Sequence, residues 1–248
     1  MKIVAIIPAK GKSKSIPNKN IKKFCGKPLV AWSILIAKAS KSVSRVIVST
    51  DSEEIKKIAI KYGAEVPFLR PNKLAVNNIG IEPVLQHTYE WLIRNENYKA
   101  DILILLMPTS PARQIFHINK AIKIFKKTKA DSVVAVNETP ANHTPYWTLT
   151  KQNNGKVTLW GKIPLKKILT RRQDFPQKCY ARNDLIYVLK PENLYDKEKS
   201  NLYGKKVELY IVPDANKYEA DINTREDWVE AEYKCQKLFN QNNASLIN

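Results

Sequence analysis

"IVAIIPAKGKSKSIPNKN", residues 3–20, decides the fold. Its apolar run, Ile3 to Ile7, shows no alternation with polar residues. That pattern predicts a strand of a parallel sheet covered on both faces. A loop with four lysines, Lys10, Lys12, Lys14 and Lys19, and one glycine, Gly11, follows at once. Ligands of open α/β sheets bind outside the carboxyl ends of the strands, so this loop is the first place to look for chemistry. Two familiar phosphate loops are excluded: there is no G-x-G-x-x-G, and Gly11 has no partner glycine ahead of a Lys-Ser. A tight turn can instead form an anion nest of backbone N–H groups. Lys10, Lys14 and Lys19 could then reach the β and γ phosphates of a nucleoside triphosphate as mobile point charges.

The rest of the chain extends this reading. "KPLVAWSILIAKAS" predicts a helix with Pro28 in its first turn. "SRVIVSTD" predicts a strand, and Asp51 or Ser52 a cap for "SEEIKKIAIKYG", whose Ile55, Ile58 and Tyr62 form a stripe ended by Gly63. A helix is expected from Glu82 to Arg94, a buried strand in "ADILILLMP", a helix carrying Ile115, Ile118, Ile122 and Phe125, and a strand in "DSVVAV". Strands alternating with helices to residue 136 predict right-handed βαβ units and a doubly wound, mostly parallel α/β sheet of Rossmann-like type. The rhythm then changes. "TPYWTLTKQNNGKVTLWGK" predicts two antiparallel strands around an Asn-Gly turn. Residues 138–182 are expected to form a flap inserted into a single domain spanning 1–248. "LIYVLK" and "VELYIV" resume the strands, a helix capped by Asn223 or Thr224 follows, and residues 241–248 are expected to fray.

Composition narrows the class. The 248 residues are 44% hydrophobic and 26% charged, ordinary for a globular domain. Forty-two Lys and Arg against twenty-three Asp and Glu leave a formal charge of +19, which favours anionic partners. Most of the excess is lysine on expected helix faces, which reads as a solvated surface rather than a nucleic-acid groove. No aromatic stacking platform, helix-turn-helix or zinc module accompanies it. Cys25, Cys179 and Cys235 are odd in number and lack C-x-x-C spacing, against a disulfide framework and for a reducing compartment. The opening apolar run is too short for a signal peptide and "ILILLMP" too short for a membrane span, so a cytoplasmic protein is expected. His87, His117 and His143 form no metal or triad pattern.

Ala9-Lys10-Gly11-Lys12-Ser13-Lys14-Ser15-Ile16-Pro17-Asn18-Lys19-Asn20 resembles the A-R-G-G-S-K-G-I-P-x-K-N motif of the CMP-sialic acid synthetases, the acylneuraminate cytidylyltransferase family. Five more blocks resemble that family in the same order: "GKPLVAWSI", "VSTDSEEI", "GAEVPFLRPNKLA", "LMPTSPAR" and "YEADINTREDW". The resemblance covers nearly the whole chain. It implies that the anomeric hydroxyl of a sugar acid attacks the α-phosphate of CTP, releasing pyrophosphate, with Mg2+ or Mn2+ assisting. On it, Lys10, Ser13 and Lys14 hold the triphosphate with Ala9, Gly11 and Lys12 of the same loop. Lys19 sits near the α-phosphate, Asn20 near ribose or phosphate, and Arg70 against cytosine. Asp221 is the expected metal ligand, with Asn223 beside it; by position alone an aspartate there is more often a cap. Thr109 and Ser110 of "PTSP", Arg171 or Arg172 with Gln173, and Asn183 are the expected sugar-acid contacts.

Departures from the family pattern cluster at these contacts. Lys10 stands where the family has arginine, losing bidentate geometry. Lys12 and Ser15 replace glycines, straining the loop if either needs positive φ. Met107 replaces glutamine, Asn223 an aspartate, Trp147 a lysine, and Asp184 the glycine of N-G-A-I-Y. A divergent member is therefore expected, acting on sialic acid or a related nine-carbon acid such as legionaminic or pseudaminic acid. The alternatives are a cytidylyltransferase for the eight-carbon acid Kdo, against which "PTSP" argues, another sugar nucleotidyltransferase, and a non-enzymatic basic protein binding nucleic acid. The flap is either a local lid or a dimer arm; the resemblance implies a homodimer.

Overall fold

The structure, a computed structural model, describes residues 1–76, 78–195 and 202–241, except the side chains of 240 and 241. The tail expected to fray lies, from residue 242 on, outside the described residues. The chain divides into two compact units, residues 1–135 with 183–248, and residues 136–182.

The first unit begins with β1 (Ile3–Pro8), all six residues of which are buried. A short hairpin of β2 (Lys23–Phe24) and β3 (Lys27–Pro28) follows, turning on Cys25 and Gly26 at φ 46° and 83°. The sequence carries little signal for this hairpin, because only the glycine of that pair favours a left-handed turn. Next come α1 (Leu29–Ala39), β4 (Arg45–Ser49), α2 (Glu53–Lys61), α3 (Glu82–Glu96), β5 (Ile102–Leu105) and α4 (Ile115–Thr128). Ser52 caps α2 by accepting the Ile55 N–H at 3.3 Å. β6 (Ser132–Glu138) leads the chain into the second unit, where β7 (Leu149–Lys151) and β8 (Val157–Leu159) form the expected antiparallel pair. β9 (Tyr180–Leu189) returns from it, followed by β10 (Val207–Ile211), α5 (Ala215–Tyr218) and α6 (Arg225–Gln241).

The main sheet has the order β10-β6-β9-β5-β1-β4. β1 runs parallel to both neighbours, with Ile6 opposite Ile47 of β4 and Leu105 of β5. β9 enters antiparallel to β5, with Ile104 opposite Val188. Ile3, Ala5 and Ile7 pack with Val30 and Ile34 of α1, Ile55 of α2, and Ile118 and Ile122 of α4. Val4 and Ile6 alternate with them and are equally buried, so both faces of β1 are covered. Because β1, β4 and β5 are parallel, the loops after them leave along one edge. The chain passes from β1 to β4 on one side and then to β5 on the other, so this edge is the switch point where such sheets hold ligands.

A second cluster holds the end of the chain to that edge. Ile16 from the lysine loop, Ala112 from the loop after β5, and Ile222, Trp228, Ala231 and Leu238 from the C-terminal segment bury together with Phe24, Leu29 and Trp32. Phe24 and Trp228 meet edge to face at 5.3 Å. Ile16 sits among lysines and Ile222 between Asp221 and Asn223, so each apolar anchor fixes the backbone of its polar neighbours.

Candidate active site

The loop after β1 starts by extending the sheet: the Ala9 N–H donates to the Ser49 carbonyl at 2.9 Å. At Gly11 the backbone turns toward β4, and its N–H donates to Asp51 Oδ1 at 2.9 Å. A Cβ on Gly11 would lie 3.1 Å from that of Ser52, so close approach to the start of α2, rather than positive φ, explains this glycine. Neither Lys12 nor Ser15 has positive φ; the left-handed residue of the loop is Asn18, at φ 54°. The strain that those two replaced glycines could have caused is absent, since asparagine tolerates that conformation. Asn20 closes the loop: its buried amide donates to the Lys10 carbonyl at 2.9 Å, and its own carbonyl accepts the Val30 N–H. Lys12 and Lys14 are exposed, while Lys10 and Ser13 are half-buried.

Three segments meet at Lys19. Its Nζ donates to the Ile222 carbonyl at 2.8 Å, and the Ile222 N–H donates to the Thr109 carbonyl at 3.0 Å. One residue, Ile222, thus ties the lysine loop to "PTSP" and sets Asp221 beside both. Burial lowers the Lys19 pKa; the negative field of Asp221 opposes this, and neighbouring Lys10 adds to it. Asp221 and Asp227 both favour the charged form of this half-buried ammonium. Asn223 Nδ2 donates to Asp221 Oδ2 at 2.7 Å. Asp227 accepts the N–H groups of Asn223 and Thr224, both at 2.8 Å, and Thr224 Oγ1 accepts the Asp227 N–H, a reciprocal cap that fixes the start of α6. Those backbone donors lower the Asp227 pKa.

Arg70, expected at the base, is 5% exposed and donates from Nη2 to Asp51 Oδ1 at 3.2 Å. Its backbone N–H donates to the Thr50 carbonyl at 2.7 Å. Burial lowers its pKa, with Asp51 opposing the shift.

The expected sugar contacts fare differently. Thr109 is half-buried, whereas Ser110 is buried with its hydroxyl turned to the Asp184 carbonyl at 3.2 Å. Asn183 Oδ1 accepts the Leu185 N–H at 3.1 Å, and Asp184 adopts φ 52°, the left-handed backbone that the family's glycine would take without strain. Arg171, Arg172 and Gln173 lie exposed on the second unit, where the Arg171 guanidinium is engaged by Asp174 at 2.9 and 3.0 Å. Trp147, in place of a lysine, is built into that unit: its Nε1 donates to the Leu169 carbonyl, and its ring meets Phe175 at 5.1 Å.

Two residues outside the expected set organise the site. Asp51 was legible only as a cap, although an aspartate at the end of a parallel strand is a signal worth reading. Arg113, the last residue of "LMPTSPAR", is fully enclosed. It donates to the Met107 carbonyl at 2.8 Å, the Leu185 carbonyl at 2.5 Å and Ser33 Oγ at 2.8 Å, fastening the loop after β5 to β9 and α1. Burial pushes its pKa down to about 9.

Comparison with known proteins decides the family. The family model described as cytidylyltransferase matches residues 4–246. The chain belongs to the cytidylyltransferase family. Among its relatives, the post-translational flagellin modification protein B of Campylobacter coli is 36% identical over 88% of this chain and 89% of its own. The CMP-N,N'-diacetyllegionaminic acid synthase of Legionella pneumophila is 31% identical over the full length of both chains. A pseudaminic acid cytidylyltransferase of Campylobacter jejuni is 36% identical over 56% of this chain and 59% of its own. A solved structure of CMP:2-keto-3-deoxy-manno-octonic acid synthetase complexed with CTP superposes with a TM-score of 0.69 at 15% identity, over 96% of this chain and all of that one. At that identity the likeness shows the fold alone. The resemblance read in six sequence blocks and the cytidylyltransferase fold are therefore both borne out.

Proposed function

We propose that this cytidylyltransferase transfers CMP from CTP to the anomeric hydroxyl of a nine-carbon sugar acid of the sialic, legionaminic or pseudaminic type. The observation that carries this is the junction at Ile222, which gathers Lys19, Lys10, Asp221 and Thr109 at the switch point of the sheet. The relatives named for legionaminic and pseudaminic acids support the acceptor class.

In the reaction the anomeric oxygen forms a bond to the α-phosphorus while the bond from that phosphorus to the α–β bridging oxygen breaks. Pyrophosphate leaves with the electron pair, and the hydroxyl proton passes to solvent water. Such transfers ask the protein mainly for positioning and charge neutralisation. Lys10 and Lys14, with Ser13 and the backbone of Ala9, Gly11 and Lys12, hold the β and γ phosphates. Lys19 neutralises charge at the α-phosphate, and Asn20 keeps the loop closed by its bond to Lys10. Arg70 faces the base. Thr109, Ser110 and Asn183 are the proposed sugar-acid contacts of the first unit, and Arg171 or Arg172 with Gln173, on the second unit, the proposed partners of a carboxylate.

Asp221 and Asn223 suit Mg2+ or Mn2+. A half-buried carboxylate beside a neutral amide is a hard oxygen set of the kind that holds Mg2+ with substrate phosphates and waters completing the shell. When bound, such an ion supplies neutralisation of the phosphate oxygens. Lys19 sits beside the pair, its Nζ held by the Ile222 carbonyl.

On this reading the chain works in the cytoplasm as a homodimer. Among the described residues, no helix is long and apolar enough to cross a membrane. The second unit exposes Leu149, Trp160, Ile163, Leu165 and Ile168, an apolar surface that suits a second copy. Light scattering would return twice the monomer mass. The activity is tested by pyrophosphate release with each of four nucleoside triphosphates against a panel of legionaminic, pseudaminic, sialic and Kdo acids. Release with CTP and a nine-carbon acid is expected. Release only with Kdo, or with none, refutes the proposal, and salt-sensitive nucleic-acid binding indifferent to CTP would favour the non-enzymatic alternative.

A further inference from the structure

Among the described residues, Asp51 hydrogen-bonds to both ends of the expected nucleotide site. Its Oδ1 accepts the Gly11 N–H at 2.9 Å from the triphosphate loop and Arg70 Nη2 at 3.2 Å from the arginine at the base. The two contacts come from segments that are far apart in sequence, and Asp51 sits between them at the carboxyl end of β4. Arg70 is 95% enclosed, since 5% of its surface is exposed, yet its Nε is buried without an acceptor among the described residues. A guanidinium held by Asp51 on one nitrogen, with a second N–H enclosed and without an acceptor, is not saturated by the described residues. Without Asp51 that charge would stay buried and unpaired, and Gly11 would lose the bond that sets the loop over the start of α2.

We propose that Asp51 is a positioning residue that determines nucleotide specificity by aligning Arg70 for cytosine while it anchors the triphosphate loop at Gly11. This rests on the cytidylyltransferase reading given above. An N–H aimed at the ring meets a lone pair at N3 of cytosine and a hydrogen at N3 of uracil, so its direction governs the choice between them. Disorienting Arg70 therefore weakens CTP more than UTP. The lysines of the loop remain, so turnover of bound CTP suffers less than its binding.

The test compares the wild type with Asp51→Ala and Asp51→Asn. KM and kcat are measured for CTP and UTP at saturating sugar acid, and CTP and UTP binding by calorimetry. A misplacement of this kind is expected to raise the KM for CTP about tenfold or more in Asp51→Ala, with a smaller fall in kcat and a narrowed preference for CTP over UTP. Asp51→Asn, which keeps the acceptor for Gly11 but loses the charge facing Arg70, should lose preference while retaining more triphosphate affinity. Its preference decides the matter if Asp51→Ala fails to fold. Folded variants with unchanged preference overturn the proposal, as does an equal loss with both nucleotides, the mark of a merely structural residue. A wild type that neither binds nor turns over CTP refutes the underlying function, and this proposal with it.

Discussion

Lowering the pH from 7 to 5 should destabilise the protein through one residue, His117. It lies at the third position of α4, completely buried, and its Nδ1 accepts the N–H of the capping residue Gln114 at 2.9 Å. The tautomer is thereby set: the proton sits on Nε2, among the rings of Phe116, Tyr218 and Tyr210 at 4.1, 4.7 and 6.1 Å, with no hydrogen-bond acceptor among the described residues. A second proton would turn the Nδ1 acceptor into a donor facing another donor. Burial, with the Arg113 charge adding to it, pulls the pKa from 6.5 down to about 3. Because the folded pKa lies below the unfolded one, the unfolded chain binds more protons between those values, and stability falls as the pH drops through that window. At pH 5 the unfolded imidazole is about 1.5 units below its ordinary pKa while the folded one stays neutral; at about 1.36 kcal/mol per unit this removes roughly 2 kcal/mol. Urea denaturation followed by tryptophan fluorescence measures it. His117→Asn keeps an acceptor for Gln114 but does not titrate, so between pH 7 and 5 the wild type should lose about 2 kcal/mol more than the variant. Equal losses in the two would refute the reasoning. Because Gln114 caps α4 three residues after "PTSP", the same protonation should loosen the loop that carries Thr109.

Four further outcomes are expected. Lys19→Met should cut kcat for pyrophosphate release about a hundredfold while leaving the protein folded, because it removes charge where charge develops; a change within about twofold would exclude Lys19 from that role. Asn223→Asp restores the family's second carboxylate, and should lower the Mg2+ concentration for half-maximal activity about tenfold while destabilising the metal-free protein, now with two facing carboxylates; a melting series with and without Mg2+ checks both signs. Thr224→Ala should cost about 1 kcal/mol by breaking the reciprocal cap of α6. Since the Asp227 pKa is depressed, its own contribution is present above the ordinary carboxylate value and lost as the pH falls through the depressed one, so the wild type and Asp227→Asn should converge in stability in acid.

Local physics explains why so much of this protein was legible without coordinates. The unbroken apolar run Ile3 to Ile7 fits a strand buried on both faces, and the periodic Ile115, Ile118, Ile122 and Phe125 fit a helix lying on a sheet, because burial favours those spacings. Cationic residues behind the first strand, and the order of six blocks, carried the nucleotide and the family. What adjacency in sequence could not carry was convergence. Lys19 and Ile222 are 203 residues apart and Gly11 and Asp51 forty, and each pair meets only because β1, β4 and β5 run parallel and release their loops at one edge. The bonding of Ser110 and Asn20 belongs to the same level: the Ser110 hydroxyl donates to the Asp184 carbonyl and the Asn20 amide to the Lys10 carbonyl, partners that no motif names. Arg113 and Asp51 read as an ordinary arginine and an ordinary cap. A buried polar group acquires its role from the partners that burial forces on it, and those partners are chosen by the packing of distant segments.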